Sequence, residues 1–525
     1  PPGGETTTST SSGPAPEGYA TCWTNPAPGA GGAIAFEDST ADWGLVEALT
    51  GMRGHAAAWG DVNADGLVDL FVGTFATSRP EVYQVRGADG PAPDRLLINL
   101  GDRFEVVDGF PERIARTSGA AFVDLDVDGD LDLVASSNEN GRVESAPTEI
   151  LENTADGFVP VESGIDPDIG GRSIGVLDID GDGLLDLLIV EDRYRGGSSR
   201  LYRNTGDLRF EDAGDEWGFP TDVHGLGVAT SDLNNDGHAD FFVAGSNRLF
   251  IGTGSGVEEV SAAIGAWETY GPEDDVSGAA IADVNRDGWL DLVVGHHFNS
   301  TVDRWEEVPV RLYLNRTATG GSQPLFEDVT EDASIPLPTK APHVELADVD
   351  NDGWLDVVTS ASALDGTGIA VLRGLPAENG IPTFASPEGL GSVQYWVTSP
   401  TTDLDRDGRL DLLAIEWEPS LPSVLFHNES QSGHWLEVAV TDRYGGIGAR
   451  VYVYEGGSAG DPAALLGARD IVVTVGYTAG VEAVAHFGLG NASVVDVVVH
   501  PVGTEETITL EAVAADARID VGGDC

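Results

Sequence analysis

The chain has 525 residues, 41% of them hydrophobic, with 27 Lys+Arg against 88 Asp+Glu and a formal charge of −61. That length holds two or three domains with real cores, while the charge excludes binding driven by counterion release from nucleic acid and argues against docking on an anionic membrane. No apolar run approaches the roughly 18 residues of a membrane helix, so no membrane span is expected.

Residues 1–18 are rich in Gly, Ser, Thr and Pro without hydrophobic periodicity, and residues 1–32 read as a flexible polar tether and lead-in. With neither a signal peptide nor an initiator Met, the start reads as processed or trimmed. A tether ahead of a folded body suits a secreted, cell-surface or periplasmic protein, with a lipid anchor on a removed leading segment as one form of attachment. Cys22 and Cys525 stand near opposite ends. A disulfide between them fits an oxidising compartment, and two unpaired thiols are the alternative.

A nine-residue acidic motif then recurs seven times. It runs Asp61-Val-Asn63-Ala-Asp65-Gly66-Leu67-Val-Asp69, then Asp124-Leu-Asp126-Val-Asp128-Gly129-Asp130-Leu-Asp132, then Asp178-Ile-Asp180-Gly-Asp182-Gly183-Leu184-Leu-Asp186. It returns as Asp232-Leu-Asn234-Asn-Asp236-Gly237-His238-Ala-Asp240 and Asp283-Val-Asn285-Arg-Asp287-Gly288-Trp289-Leu-Asp291. The last two are Asp348-Val-Asp350-Asn-Asp352-Gly353-Trp354-Leu-Asp356 and Asp403-Leu-Asp405-Arg-Asp407-Gly408-Arg409-Leu-Asp411. Spacings of 51 to 65 residues between first aspartates are too long for a β-helix coil and suit a four-stranded propeller blade.

Each unit has an apolar run into the loop, one out of it, a third strand such as Leu201-Tyr-Arg-Asn204, and a hairpin turn. A fourth strand opens at Phe104, Phe158, Phe210, Phe326 or Phe384. The last unit lacks that strand after Leu425-Phe-His-Asn428, and Ala35-Phe36-Glu-Asp-Ser-Thr40 has the missing pattern. The expected fold is therefore all-β: a seven-bladed β-propeller over 33–428, closed by an N-terminal strand, which removes two exposed sheet edges. Beyond Glu429 the acidic loops stop, and short β-rich runs between Gly turns predict a small separate β-sandwich or barrel over 429–525.

Positions one, three, five and nine of each loop offer carboxylate or amide oxygens, position six is a Gly for the sharp bend, and position seven offers its carbonyl. Those are the first nine positions of an EF-hand loop without its helices, and an all-oxygen donor set favours Ca²⁺. The side-chain positions hold 25 Asp in seven loops. Two carboxylates about 4 Å apart repel by roughly 4 kcal/mol at an effective dielectric near 20, so about seven Ca²⁺ are expected. Asp/Gly turns that merely turn well are the alternative, which one loop would leave open and seven in register do not.

These repeats resemble the FG-GAP/VCBS repeats of integrin α chains and many bacterial surface proteins, whose fold is a seven-bladed propeller. The tail, with Gly446-Gly-Ile-Gly-Ala-Arg-Val451, Gly476-Tyr477 and His486-Phe-Gly-Leu-Gly490, resembles the ASPIC/UnbV domain. Together they are similar to bacterial members of the cartilage acidic protein family. That resemblance implies an extracellular calcium-binding protein. His500-Pro501-Val502-Gly503 departs from the Trp-Pro-x-Gly of such tails.

With the loops on one face, strand starts and ends lie on the other. His55, Arg172, His224, His343 and Trp396 come from starts, and Asn138, Glu139, Glu191, Asp192, His296, His297, Glu416 and Trp417 from ends. The candidate ligand set there is His55, Arg172, His224, His296, His297, His343, Trp396, Glu416 and Trp417, with no residue assigned as catalytic. The leading function is adhesion or binding of an extracellular protein or glycan. A carbohydrate-active propeller enzyme of lyase or dehydratase type, using His, Glu and Arg on that face, is the alternative.

Overall fold

The computed structural model describes residues 18–27, 31–77, 79–85, 87–138, 146–192, 197–261, 275–297, 310–335, 342–360, 367–385, 388–392, 396–417, 423–504, 506–523 and 525. Seven of its sheets carry one acidic loop each, between the two innermost strands. The innermost strands are Gly54–Gly60, Thr117–Val123, Gly171–Leu177, Gly225–Ser231, Asp275–Ala282 and Val344–Ala347, and in the seventh sheet Trp396–Thr398 with Thr401–Thr402. The second strand of each sheet begins at the ninth loop residue, as in Asp69–Thr74 and Asp291–His297.

Burial explains the strand patterns. A sheet with a neighbour on both faces buries both sides of its central strands, so these read as continuous small or apolar runs rather than alternating ones. Leu187 and Ile189 of the third sheet pack on Ala121 and Val134 of the second. Leu413 and Ile415 of the seventh pack on Ala57, Leu70 and Val72 of the first, so the series returns to its start. Most outermost strands are short and bury a single apolar residue, Phe210 in Phe210–Asp212 and Val257 in Val257–Glu259. The seventh sheet takes Phe36–Asp38 as its outer strand, with Phe36 opposite Asn428.

The innermost strands crowd toward the axis. Register shifts recur at one level, between Gly54 and Ala56, Thr117 and Gly119, Gly225 and Gly227, and Val276 and Gly278. A Cβ at Gly119 would run into the Arg172 carbonyl, and one at Gly278 into that of Pro342. Here glycine lets neighbouring backbones meet.

The sixth sheet departs from the expected pattern. Phe384 ends a strand, Ile381–Phe384, that pairs with Gly374–Glu378, and Glu388–Ser392 lies along Thr367–Leu372. Phe384 and Ile381 pack in the cluster between the fifth and sixth sheets, so an inserted hairpin keeps the aromatic buried before the edge strand begins.

The tail is a sandwich of two four-stranded sheets sharing a core of Leu436, Val451, Phe487, Val497 and Ile519. Two expectations change here. The lead-in is not wholly flexible: Tyr19–Thr24 pairs antiparallel with Ala517–Val521, and Cys22 is disulfide-bonded to Cys525 with Cα atoms 5.4 Å apart. Nor is the tail separate, because its hairpin of Thr474–Val475 and Ala479–Gly480 joins the first sheet, Ala479 and Gly480 lying parallel to Ala57 and Ala58. Gly476 bridges Ala279 across the axis. Small side chains on the innermost strands of the first and second sheets, such as Ala58 and Ala120, admit an extra strand that no periodicity announces.

The disulfide joins residues 503 apart. Cys22→Ser is expected to lower unfolding free energy by about 2–4 kcal/mol in denaturant titrations, with proteolysis first appearing near Tyr19–Thr24.

Candidate metal centres

All seven loops have one hydrogen-bond pattern. The first Asp accepts the N–H of the Gly at position six, at 2.7 Å for Gly353 to Asp348 and 3.1 Å for Gly183 to Asp178. The fifth-position Asp accepts the N–H of position seven, from Leu67 to Asp65 at 2.9 Å through to Arg409 to Asp407 at 2.9 Å. Position four is left-handed in every loop, with φ 55° at Ala64, 63° at Val127 and 60° at Arg406, and so is the Gly after position five. Two consecutive turns of that hand fold the carboxylates inward.

The ninth-position Asp does more than close a cage. Asp69, Asp186, Asp240, Asp291 and Asp356 have no exposed surface. Oδ2 of each accepts the N–H of loop position two, as Val284 to Asp291 at 3.0 Å, and Oδ1 accepts an N–H at the end of the third strand, as Asn315 to Asp291 at 2.8 Å. That third-strand Asn then reaches the sheet before it. Asn204 Nδ2 donates to Leu125 O at 2.8 Å, Asn315 to Leu233 O at 2.8 Å, and Asn428 to Val349 O at 2.8 Å. The sequence reasoning missed these asparagines, although their recurrence as the last residue of the third strand was a visible signal.

The residues present fit a hard divalent cation. Donor oxygens of Asp124, Asp126 and Asp128 lie within 4.8 Å of one another, as do those of Asp178, Asp180 and Asp186, and those of Asp348, Asp350 and Asp356. Asp126 Oδ1 is buried without a hydrogen-bond partner. In the seventh loop His427 joins Asp405 and Asp407. Without an ion, burial pushes Asp69 and Asp132 up to about 7 and Asp186 and Asp411 up to about 8. Backbone N–H groups partly offset this in each case.

The tail covers most of the loop face. Tyr444 Oη donates to Asp178 Oδ2 at 2.9 Å, and Asp470 Oδ2 accepts the N–H of Asp232 at 3.0 Å. Gly433 N–H meets Asp350 O at 3.0 Å, and His486 Nε2 lies 3.2 Å from Gly408 O. Arg406, beside the seventh loop, pairs with Glu482 at 3.0 Å, and Arg518 pairs with the same carboxylate. Burial opposes ionisation of Glu482, but those two guanidinium groups hold it down to about 2. A cavity of about 130 Å³ lies between ring and tail, lined by Glu345, Asp348, Asp403, Glu437 and Arg469 among others.

From this side the tail hairpin descends the axis to the opposite face. Its tip, Tyr477, is buried among Leu226, Val397 and Trp417. Tyr477 N–H approaches His343 Nδ1 at 3.3 Å, and its hydroxyl lies 3.4 Å from His55 Nε2. His55 also stacks on Phe75, ring centroids 4.5 Å apart. The structure thus brings His55, His343 and Trp417 together, around a side chain of the protein itself.

The other face residues fall elsewhere. Arg172 pairs with Asp192 at 2.6 Å, and Asn138 Nδ2 lies 3.2 Å from the same carboxylate. Trp396 is core between the sixth and seventh sheets. His296, Glu191 and Glu416 are buried at the ends of their second strands, and His224 precedes the first strand of the fourth sheet. Glu139 and the side chain of His297 lie outside the described residues. Arg53, 3.6 Å over the Trp417 ring, and Arg116, 3.8 Å over Phe75, were not anticipated.

The FG-GAP-like repeat family matches residues 124–189, 178–243 and 232–294, and the ASPIC and UnbV family matches 441–523. The chain is similar to cartilage acidic protein 1 of Mus musculus, 27% identical over 472 residues, covering 83% of this chain and 68% of that protein. With cartilage acidic protein 1 of Homo sapiens it is 28% identical over 450 residues, covering 77% of this chain and 64% of that protein. The chain therefore spans about two thirds of the length of these curated relatives. Among solved structures it is similar to the crystal structure of the V. cholerae biofilm matrix protein Bap1, at 14% identity and TM-score 0.36, covering 92% of this chain and 71% of that chain. That likeness is too distant to bear on fold or function.

Two outcomes follow from this geometry. In chelator, buried aspartates raised to about 7 or 8 hold protons that the unfolded chain loses near pH 4. Their contribution is present in acid and lost as pH rises through 7 to 8, so the melting temperature should fall from pH 5.5 to 8.5; millimolar Ca²⁺ should remove the fall. A melt that rises with pH in chelator would contradict this. Tyr477→Ala is expected to cost about 3–5 kcal/mol, measured by denaturant unfolding.

Proposed function

We propose that this chain, which carries FG-GAP-like repeats ahead of an ASPIC and UnbV domain, is an extracellular binding protein of adhesion type whose ring is stabilised by about seven Ca²⁺. Residues 33–428 form the calcium-loaded propeller and 429–525 the domain that caps its loop face. Loop positions one, three, five and nine supply carboxylate or amide oxygens, and the position-seven carbonyl completes each shell. The ligand is a protein or glycan.

One observation carries the calcium reading: seven loops of one hydrogen-bond pattern hold a buried Asp at position nine with two or three further acids beside it. A bound divalent ion offsets that repulsion and supplies no redox or acid–base chemistry. Extracellular calcium modules have Kd on the order of 10⁻⁴–10⁻³ M, which fills them outside cells and leaves them largely empty in cytosol. The disulfide between the chain's ends supports the same compartment. The histidines that a lyase or dehydratase would use, His55 and His343, are packed around Tyr477, so the binding reading is preferred.

At 5 mM Ca²⁺ each filled loop should add about 1–2 kcal/mol, so EDTA should lower the melting temperature strongly and added Ca²⁺ restore it. An unchanged melt would reject the reading. Glycan-array and protein-capture binding, with and without Ca²⁺, tests the ligand class.

A further inference from the structure

The seven loops differ in one respect that the fold places side by side. The third-strand residue before the one whose N–H meets the ninth Asp acts on the loop acids wherever it is charged or a histidine. It is Ile98, Glu152, Arg203, Ile251, Leu314, Arg373 and His427 in chain order. Where position three is Asn, in the first, fourth and fifth loops, this residue is aliphatic. Where position three is Asp, it is charged or a histidine.

Three of those four bear directly on the loop acids. Arg203 Nε donates to Asp180 Oδ2 at 3.0 Å. Arg373 Nε lies 2.8 Å from Asp350 Oδ2 and its Nη2 donates to Asp352 Oδ2 at 2.7 Å. His427 Nε2 lies 3.1 Å from Asp405 Oδ2. Counting only the side-chain ligand positions and this third-strand residue, three aspartates beside an aliphatic side chain, or four beside an arginine, both come to a formal −3. The 124–132 loop breaks the rule: the aspartates at its four side-chain ligand positions stand with Glu152 for a formal −5, and Asp130 at position seven adds a further negative charge.

Two further observations bear on that loop. Asp126 Oδ1 is buried with no hydrogen-bond partner, and the Glu152 carboxylate stands close enough for its charge to act on it. Among the described residues, no hydrogen bond or ion pair joins the tail to residues 124–132, nor to the first and fifth loops, whereas the tail grips the third, fourth, sixth and seventh. The loop with the largest formal negative charge is thus one of those the tail does not grip.

We propose that Glu152 sets cation affinity in the second loop, making 124–132 the tightest site of the ring and the last to release its ion. This rests on the calcium reading of the loops. Arg203 and Arg373 are its counterparts, tuning down loops that carry a fourth aspartate. Moving two units of charge at a few ångströms shifts ion affinity by at least tenfold even at a high effective dielectric.

The test is calcium calorimetry on the chelator-stripped full chain. The wild type should show one site at least tenfold tighter than the rest. Glu152→Arg should lose that class alone, with Glu152→Gln between the two, and Arg203→Glu should create a second tight site. Equal sites in the wild type, or a tight class that survives Glu152→Arg, would overturn the inference while leaving the calcium reading intact. No uptake at millimolar Ca²⁺ would overturn both. Wild-type crystals with one equivalent of samarium(III) give a check free of variants: anomalous density should be strongest at 124–132, and strongest density at another loop would refute the assignment.

Discussion

The buried aspartate at the ninth loop position is the constraint on which the ring depends. It begins the second strand of its sheet, holds loop position two with one oxygen and the third strand with the other, and has no exposed surface in five of the sheets. Ionised, it needs positive charge beside it, and burying an unpaired carboxylate is among the costliest arrangements a fold can hold. Replacing it by an apolar residue would free the N–H groups it accepts; retaining it calls for a cation. Cation binding, as proposed for these loops, and blade construction are thus one requirement.

Around this pin the sheets are joined twice. Apolar clusters such as that of Leu187, Ile189 and Ala121 supply the bulk of the adhesion between neighbours. The third-strand asparagines add a directional bond from one sheet to the loop of the sheet before it, at 2.8 Å in three cases. Where Gly252 and Gly374 stand in place of Asn, that side chain is missing. A ring built this way couples each loop to its neighbour, because moving the loop shifts the carbonyl that the next sheet holds.

The tail turns the ring into a closed body. Its guanidinium groups and carboxylates form buried pairs along the loop face, with Arg450 against Asp470 and Arg406 and Arg518 against Glu482. Pairs of this kind contribute little net stability but penalise mispacking heavily, so they specify how the tail sits. Its hairpin then occupies the narrow axis, where glycine and alanine on the inner strands leave room for two more strands. The face that looked open for a ligand is, at its centre, sealed by Tyr477.

The amino-acid sequence by itself determined the repeating unit, the acidic loops and the strand that completes the last sheet, because each is a local pattern or a count, and it left the bond between Cys22 and Cys525 as one of two alternatives. Spacing of Asp61, Asn63, Asp65 and Asp69 reports directly on a turn whose atoms lie within nine residues. The tertiary structure alone decided what lies far apart in the chain: Tyr477 between His55 and His343, the strand Tyr19–Thr24 in the tail sheet, Phe384 within an inserted hairpin, and which histidines never meet. Two-residue strands such as Ala479–Gly480 have no periodicity to read, and whether polar side chains on seven sheets converge depends on the radius of the ring. Local geometry is written in adjacent residues, whereas convergence at an axis is set by the packing of all seven sheets together.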